Sequence, residues 1–146
     1  MTHLLPVVLA GFLGAVSLLA DDDPTLTFYV QLVRGTDAVS ADNPRWRPVG
    51  PKLNKALHRV FRWANYWEVS RGKLKVGQAK VIKGRVTPER DVEIELIDGQ
   101  TMEVRLYQDG RLSRAARQPI SQMCILGGDR QKDEAWFIVV RRDKPL

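Results

Sequence analysis

The residues best suited to chemistry are few in this 146-residue chain: two histidines, His3 and His58, and one cysteine, Cys124. His3 falls in an apolar leader, so His58 is the only histidine in the remainder. One histidine and one cysteine fall short of the nitrogen and sulfur donors that a zinc or other transition-metal site gathers, so we expect neither metal nor cofactor. The chain has no Gly-x-Ser-x-Gly, His-Glu-x-x-His, Walker A, EF-hand or dinucleotide pattern. A Cys124–His58 nucleophilic pair would need a strand and a helix face to meet. The neighbours Met123, Ile125 and Leu126 instead read as the setting of a buried, inert thiol. With no internal partner Cys124 forms no intrachain disulfide, and a disulfide scaffold is excluded.

Carboxylates provide the other candidate chemistry. Val92, Ile94 and Leu96 alternate, as do Met102, Val104 and Leu106, so the two runs form a hairpin with one apolar face. A three-residue loop, Asp98 to Gln100, pairs Leu96 with Met102, Ile94 with Val104 and Val92 with Leu106. That register sets Glu95 opposite Glu103, and Glu93 opposite Arg105, on the outer face. Two facing carboxylates can hold a cation or move protons. No third ligand stands at a diagnostic spacing, and Arg105 lies diagonal to Glu95, so the pair reads as a wet sheet face. We therefore expect no catalytic residues and no enzyme. A small hydrolase that gathers Glu68, His58 or the Glu95–Glu103 pair is kept as an alternative.

The stronger signal is for binding. Lys52, Lys55, Arg59 and Arg62 line one side of a predicted helix, with Trp46 in the loop before it and Trp63 at its end. Tryptophan and arginine dominate binding hot spots, so these six residues form the candidate contact surface. Phe61 and Trp67 read as core. The expected partner is a protein of the cell envelope, with an anionic lipid or envelope polymer as the alternative. No nucleic-acid motif appears, so nucleic acid is not expected as a ligand.

The elements that position these residues follow from the pattern. Pro51 to Ala64 is the one convincing helix: Ala56, Leu57, Val60, Phe61 and Ala64 fall within about 80° of Leu53, and Lys52, Lys55, His58, Arg59 and Arg62 lie opposite. Pro51 suits the first turn, where its missing N–H is not needed. Strands are predicted at Leu26–Arg34, which should be central, then Tyr66–Arg71, Ala79–Thr87, Asp91–Ile97, Thr101–Tyr107, a short Arg111–Arg114, Ile120–Leu126 and Ala135–Arg142. Gly72, Pro88, Asp98-Gly99, Asp109-Gly110 and Gly127-Gly128-Asp129 mark the turns between them. The fold class is mainly β (α+β): an antiparallel β-sandwich or partly open barrel of about six to eight strands with one amphipathic helix.

Residues 1–20 read as a signal peptide: Leu4 to Ala20 carry no charge, and Asp21, Asp22 and Asp23 follow at once. Residues 21–146 then form a single β-rich domain with no transmembrane span. The chain is expected to be exported, periplasmic in a Gram-negative cell and otherwise secreted, and anchored if the leader stays uncut. Lys+Arg 23 against Asp+Glu 17 gives +6 overall, a basic surface compatible with acidic partners. Trp136 to Val140 is nearly continuous in apolar residues, so the terminal strand should be buried on both faces. A chain ending at Glu134 is therefore expected to lose its cooperative thermal transition, measured by circular dichroism against the parent.

Overall fold

A computed structural model describes residues 24–77, 80–130 and 132–146; the leader read over residues 1–20 lies outside them. The elements are β1 Thr25–Thr36, β2 Arg47–Pro48, α1 Pro51–Val60, β3 Asn65–Gly77, β4 Val81–Thr87, β5 Arg90–Leu96, β6 Thr101–Gln108, β7 Arg111–Pro119, β8 Cys124–Arg130 and β9 Glu134–Arg141. They form two antiparallel sheets, one ordered β2-β3-β1-β9-β8 and the other β4-β5-β6-β7. Neither closes on itself, and the two pack face to face as an antiparallel β-sandwich. β1 is central, as its aromatic and β-branched composition implied. Among the described residues no helix is long and apolar enough to cross a membrane.

Alternation along the strands builds two cores. Phe28, Val30 and Leu32 of β1 and Ile138 and Val140 of β9 face the second sheet, where Val92, Ile94, Leu96, Met102, Val104 and Leu106 meet them. The odd positions, Val33 of β1 with Phe137 and Val139 of β9, face the other way, onto Leu53 and Leu57 of α1. β9 is therefore buried on both faces, which is what its run of apolar residues required.

Two hairpins show the local chemistry. Across β5–β6 the pairs are Leu96–Met102, Ile94–Val104, Glu95–Glu103 and Glu93–Arg105, the register expected from alternation alone. Asp98 sets the loop: its Oδ1 accepts the N–H groups of Gln100 and Thr101, both at 2.8 Å, and these bonds hold its carboxyl below the usual range. The β6–β7 turn has Asp109 at φ 50 and Gly110 at φ 78, the doubly left-handed pair of a tight hairpin.

Other boundaries differ from expectation. Gly72 does not stop its strand, which continues to Gly77 as one edge of the sheet. Gly127 likewise lies inside β8, which starts at Cys124, because residues 120–123 form a turn fixed by the Ile120 N–H donating to the Gln100 carbonyl at 2.8 Å. β7 extends to Pro119 although it is almost wholly exposed, since backbone pairing with β6 rather than burial defines it. The helix ends at Val60, not Ala64. Its closing bond runs from the Phe61 N–H to the Leu57 carbonyl, and the Ala64 N–H donates to Asp37 Oδ1 at 3.0 Å, which holds the exit extended.

On the helix side of the larger sheet lies a polar chain. Gln31, 1% exposed, donates from Nε2 to Glu68 Oε2 at 2.6 Å and accepts from Arg141 at 3.4 Å. Arg71 grips Glu68 through two donors, at 2.6 and 2.9 Å, and also donates to the main-chain oxygens of Pro145 and Leu146. Arg141 in turn holds Asp143, which also receives Lys52 of α1 at 3.1 Å. Hydrogen bonding to Arg141 keeps the Asp143 carboxyl well below the usual carboxylate range.

Close packing at the far end of β1 leaves no room for a side chain at Gly35: a Cβ there would stand 2.8 Å from Trp63 Cδ1 and 3.0 Å from Tyr66 Cε1. Gly35→Ala is therefore expected to destabilise the fold by about 1–3 kcal/mol, read from the urea unfolding midpoint.

Candidate binding surface

The predicted contact residues divide into an exposed set and a buried one. Leu53 and Leu57 anchor α1 at 0% exposure, which turns Lys52, Lys55 and Arg59 outward. Arg62 is exposed as well, but it sits on the extended exit rather than the helix, with its guanidinium 5.6 Å from the centre of the Trp63 ring. Lys52 is already neutralised by Asp143. Among the described residues Lys55, Arg59 and Arg62 have no carboxylate partner, although the helix carries no acid of its own in its first turn.

Neither tryptophan is free to reach outward as expected. Trp63 is 5% exposed, packed over Gly35 beside Tyr66, because the exit strand must cover the second core once the helix has ended. Trp46 is half-buried: its ring meets Trp136 edge-on at 6.3 Å, and Arg34 lies 5.1 Å from its centre. Arg34 is itself clamped by Asp42 and Glu134. Trp46 thus folds the loop before α1 onto the end of the larger sheet.

One arrangement not legible on the helical wheel appears where the helix ends. Val60, Phe61, Arg62 and Trp63 join Phe137 of β9 and Arg114 of β7 around a groove of about 390 Å³. Its floor is aromatic: Phe61 lies 4.5 Å from Phe137, ring centre to ring centre. Val60, expected in the core, is 73% exposed at its margin. Among the described residues Arg62 and Arg114 are the only charged ones of the lining. Arg114 also donates to the Gly127 carbonyl, so it bridges the seam between β7 and β8. Only the register of the two sheets brings Arg114 here, and no local sequence signal announces that.

The catalytic alternatives are placed as follows. Cys124 is 1% exposed between the two sheets, where burial pushes its thiol up to about 11. His58 lies on the outer side of α1, with Nδ1 2.8 Å from the Asn54 carbonyl oxygen and its ring against Tyr66, so the larger sheet separates it from Cys124. Glu68 is held by Gln31 and Arg71. Glu95 and Glu103 do face each other, but Arg105 bonds both, and Glu93 besides. Among the described residues no group of three or more histidine, cysteine or acidic side chains is placed to hold a metal.

Because Arg105 is only 16% exposed while it neutralises three carboxylates, its loss should leave them in mutual repulsion. Arg105→Met is expected to lower stability by about 1–3 kcal/mol. Urea unfolding midpoints of parent and variant check this; an unchanged midpoint would show that the three carboxylates do not need Arg105.

No known family, curated protein or solved structure matches the chain.

Proposed function

We propose that this chain is an exported, non-enzymatic binding module of a cell-envelope assembly, and that the end of α1 docks an acidic segment of a protein partner. The observation that carries the reading is the groove beneath Val60, whose floor is aromatic and whose charged lining, among the described residues, is Arg62 and Arg114. An apolar side chain of the partner fills the groove, while its carboxylates meet Arg62, Arg59 and Lys55. This combination of aromatic floor and arginine rim is the composition of a binding hot spot.

The rest of the surface favours the same place. Asp42, Glu68, Asp91, Glu93, Glu95, Glu103, Glu134 and Asp143 are all engaged by cations of their own chain. The cations on the exposed side of α1 are left to attract acids from outside. Export is supported by the uncharged run Leu4 to Ala20 followed by three aspartates. An anionic lipid or polymer would use the same charges but gives no role to the groove.

The test is capture from envelope extract by the parent and by a Lys55→Glu/Arg59→Glu/Arg62→Glu variant, beside binding to phosphatidylglycerol vesicles. The reading expects one defined protein retained by the parent, lost at least tenfold in the variant, and largely kept as salt is raised. Vesicle binding that collapses with salt, with no protein retained, would replace it by the lipid reading. Equal capture by parent and variant would clear α1 altogether.

A further inference from the structure

The smaller sheet ends in β7, and one edge of that strand is unpaired, since β6 takes only the other. Along such an edge every second residue turns its N–H and C=O outward, where a further strand can bond them. The other terminal strands are less open. β2 has two residues, β4 has Leu74 of β3 packed against its Gly84, and the Gly127 carbonyl of β8 is occupied by Arg114.

The regular part of β7 covers residues 114–118. Ser113 before it is a bulge, left without a partner between the pairs Leu106–Arg114 and Tyr107–Leu112. Ala115 and Ala116, in the middle of the regular part, are too small to screen the backbone, and Ala115 is exposed. Arg114 and Arg117 flank them. Arg114 donates from Nε to the Gly127 carbonyl and has no carboxylate partner among the described residues. Arg117 reaches Glu103 only at 3.4 Å, with 59% of its side chain exposed. Because Arg114 pairs with the core residue Leu106 and Arg117 with Glu103, the first points toward the larger sheet and the second lies on the outer face.

These charges select the occupant of the edge. A second copy of β7 would set arginine beside arginine along one seam, which disfavours self-pairing, whereas a strand that carries acids is attracted. The place is also continuous with the groove at the end of α1, which Arg114 lines. We infer that the acidic segment docked in that groove continues as an added strand on β7, its backbone bonded to the free edge over residues 114–118 and two of its acids, three residues apart, meeting Arg114 and Arg117. The inference rests on the reading of the groove as a protein-docking site, and adds to it how the partner lies and how its acids are spaced.

The probe is the amidated peptide Phe-Glu-Val-Thr-Glu-Phe with a dye at its N-terminus, aromatic at both ends so that either strand direction presents a ring to the groove. Its binding to the full chain is read by fluorescence anisotropy. Two versions are N-methylated at alternate residues, one at the first Glu and Thr, the other at Val and the second Glu. Saturable binding of the parent peptide is expected, weakened about tenfold in one version and unchanged in the other, because only alternate N–H groups of an added strand face its neighbour. Arg117→Gln, at an exposed position outside the groove, should weaken binding about threefold or more while leaving the thermal transition in place. Equal binding of the two methylated versions would overturn the added strand; if Arg62→Glu still lowers affinity in that case, the groove reading is untouched. No saturable binding of the parent peptide would overturn the added strand and count against the groove with it.

Discussion

The pairing of β1 with β9 is the constraint on which the rest of the structure depends. These strands form the middle of the larger sheet and are covered on both faces, by the second sheet on one side and by α1 with its exit on the other. A buried backbone has to satisfy its own polar groups, and neighbouring strands do so by exchanging hydrogen bonds. Each side chain then enters one of two cores according to parity. The single polar position at the centre, Gln31, is accommodated because Glu68 and Arg141 reach it from the strands on either side. Through Arg141 and Asp143 the same chain of contacts reaches Lys52, so the start of the helix is tied to the middle of the sheet.

How much of this could be read from residue order depends on how far apart the deciding partners lie. The β5–β6 register was legible because each apolar residue has its partner a few positions away, and a single-residue slip would put Glu103 against Ile94. The class of fold and the two-sided burial of β9 were legible in the same way. The end of the helix was not. Phe61 and Ala64 continue the apolar stripe on a wheel, yet the exit is held extended by Asp37, 27 residues earlier. Gly72 and Gly127 look like turns locally but lie within strands fixed by β1 and β9. β7, with no apolar alternation to signal it, is a strand because β6 supplies its hydrogen bonds.

The binding surface shows the same division. Exposure of Lys55 and Arg59 follows from Leu53 and Leu57 alone, so the helix periodicity sufficed. The neutralisation of Lys52 rests on Asp143, 91 residues away, and the groove needs Arg114 from the other sheet. Trp63 was expected to make contacts from the end of the helix, a position that holds only if the helix reaches it. With the helix ended at Val60, the ring covers Gly35 and is buried.

The position of β9 also bears on the order in which the domain can be assembled. Gln31 and Arg141 touch although 110 residues separate them, and β9 supplies the neighbour that β1 needs on one side. As the polypeptide is synthesised, β1 emerges well before β9 and must wait, half-paired, until the strands between them have been made. Hairpins such as β5–β6 are free to form meanwhile, but the larger sheet is closed only by a late, long-range encounter, the kind that slows folding. Until β9 is available the unflanked edge of β1 is the region most in need of protection from aggregation.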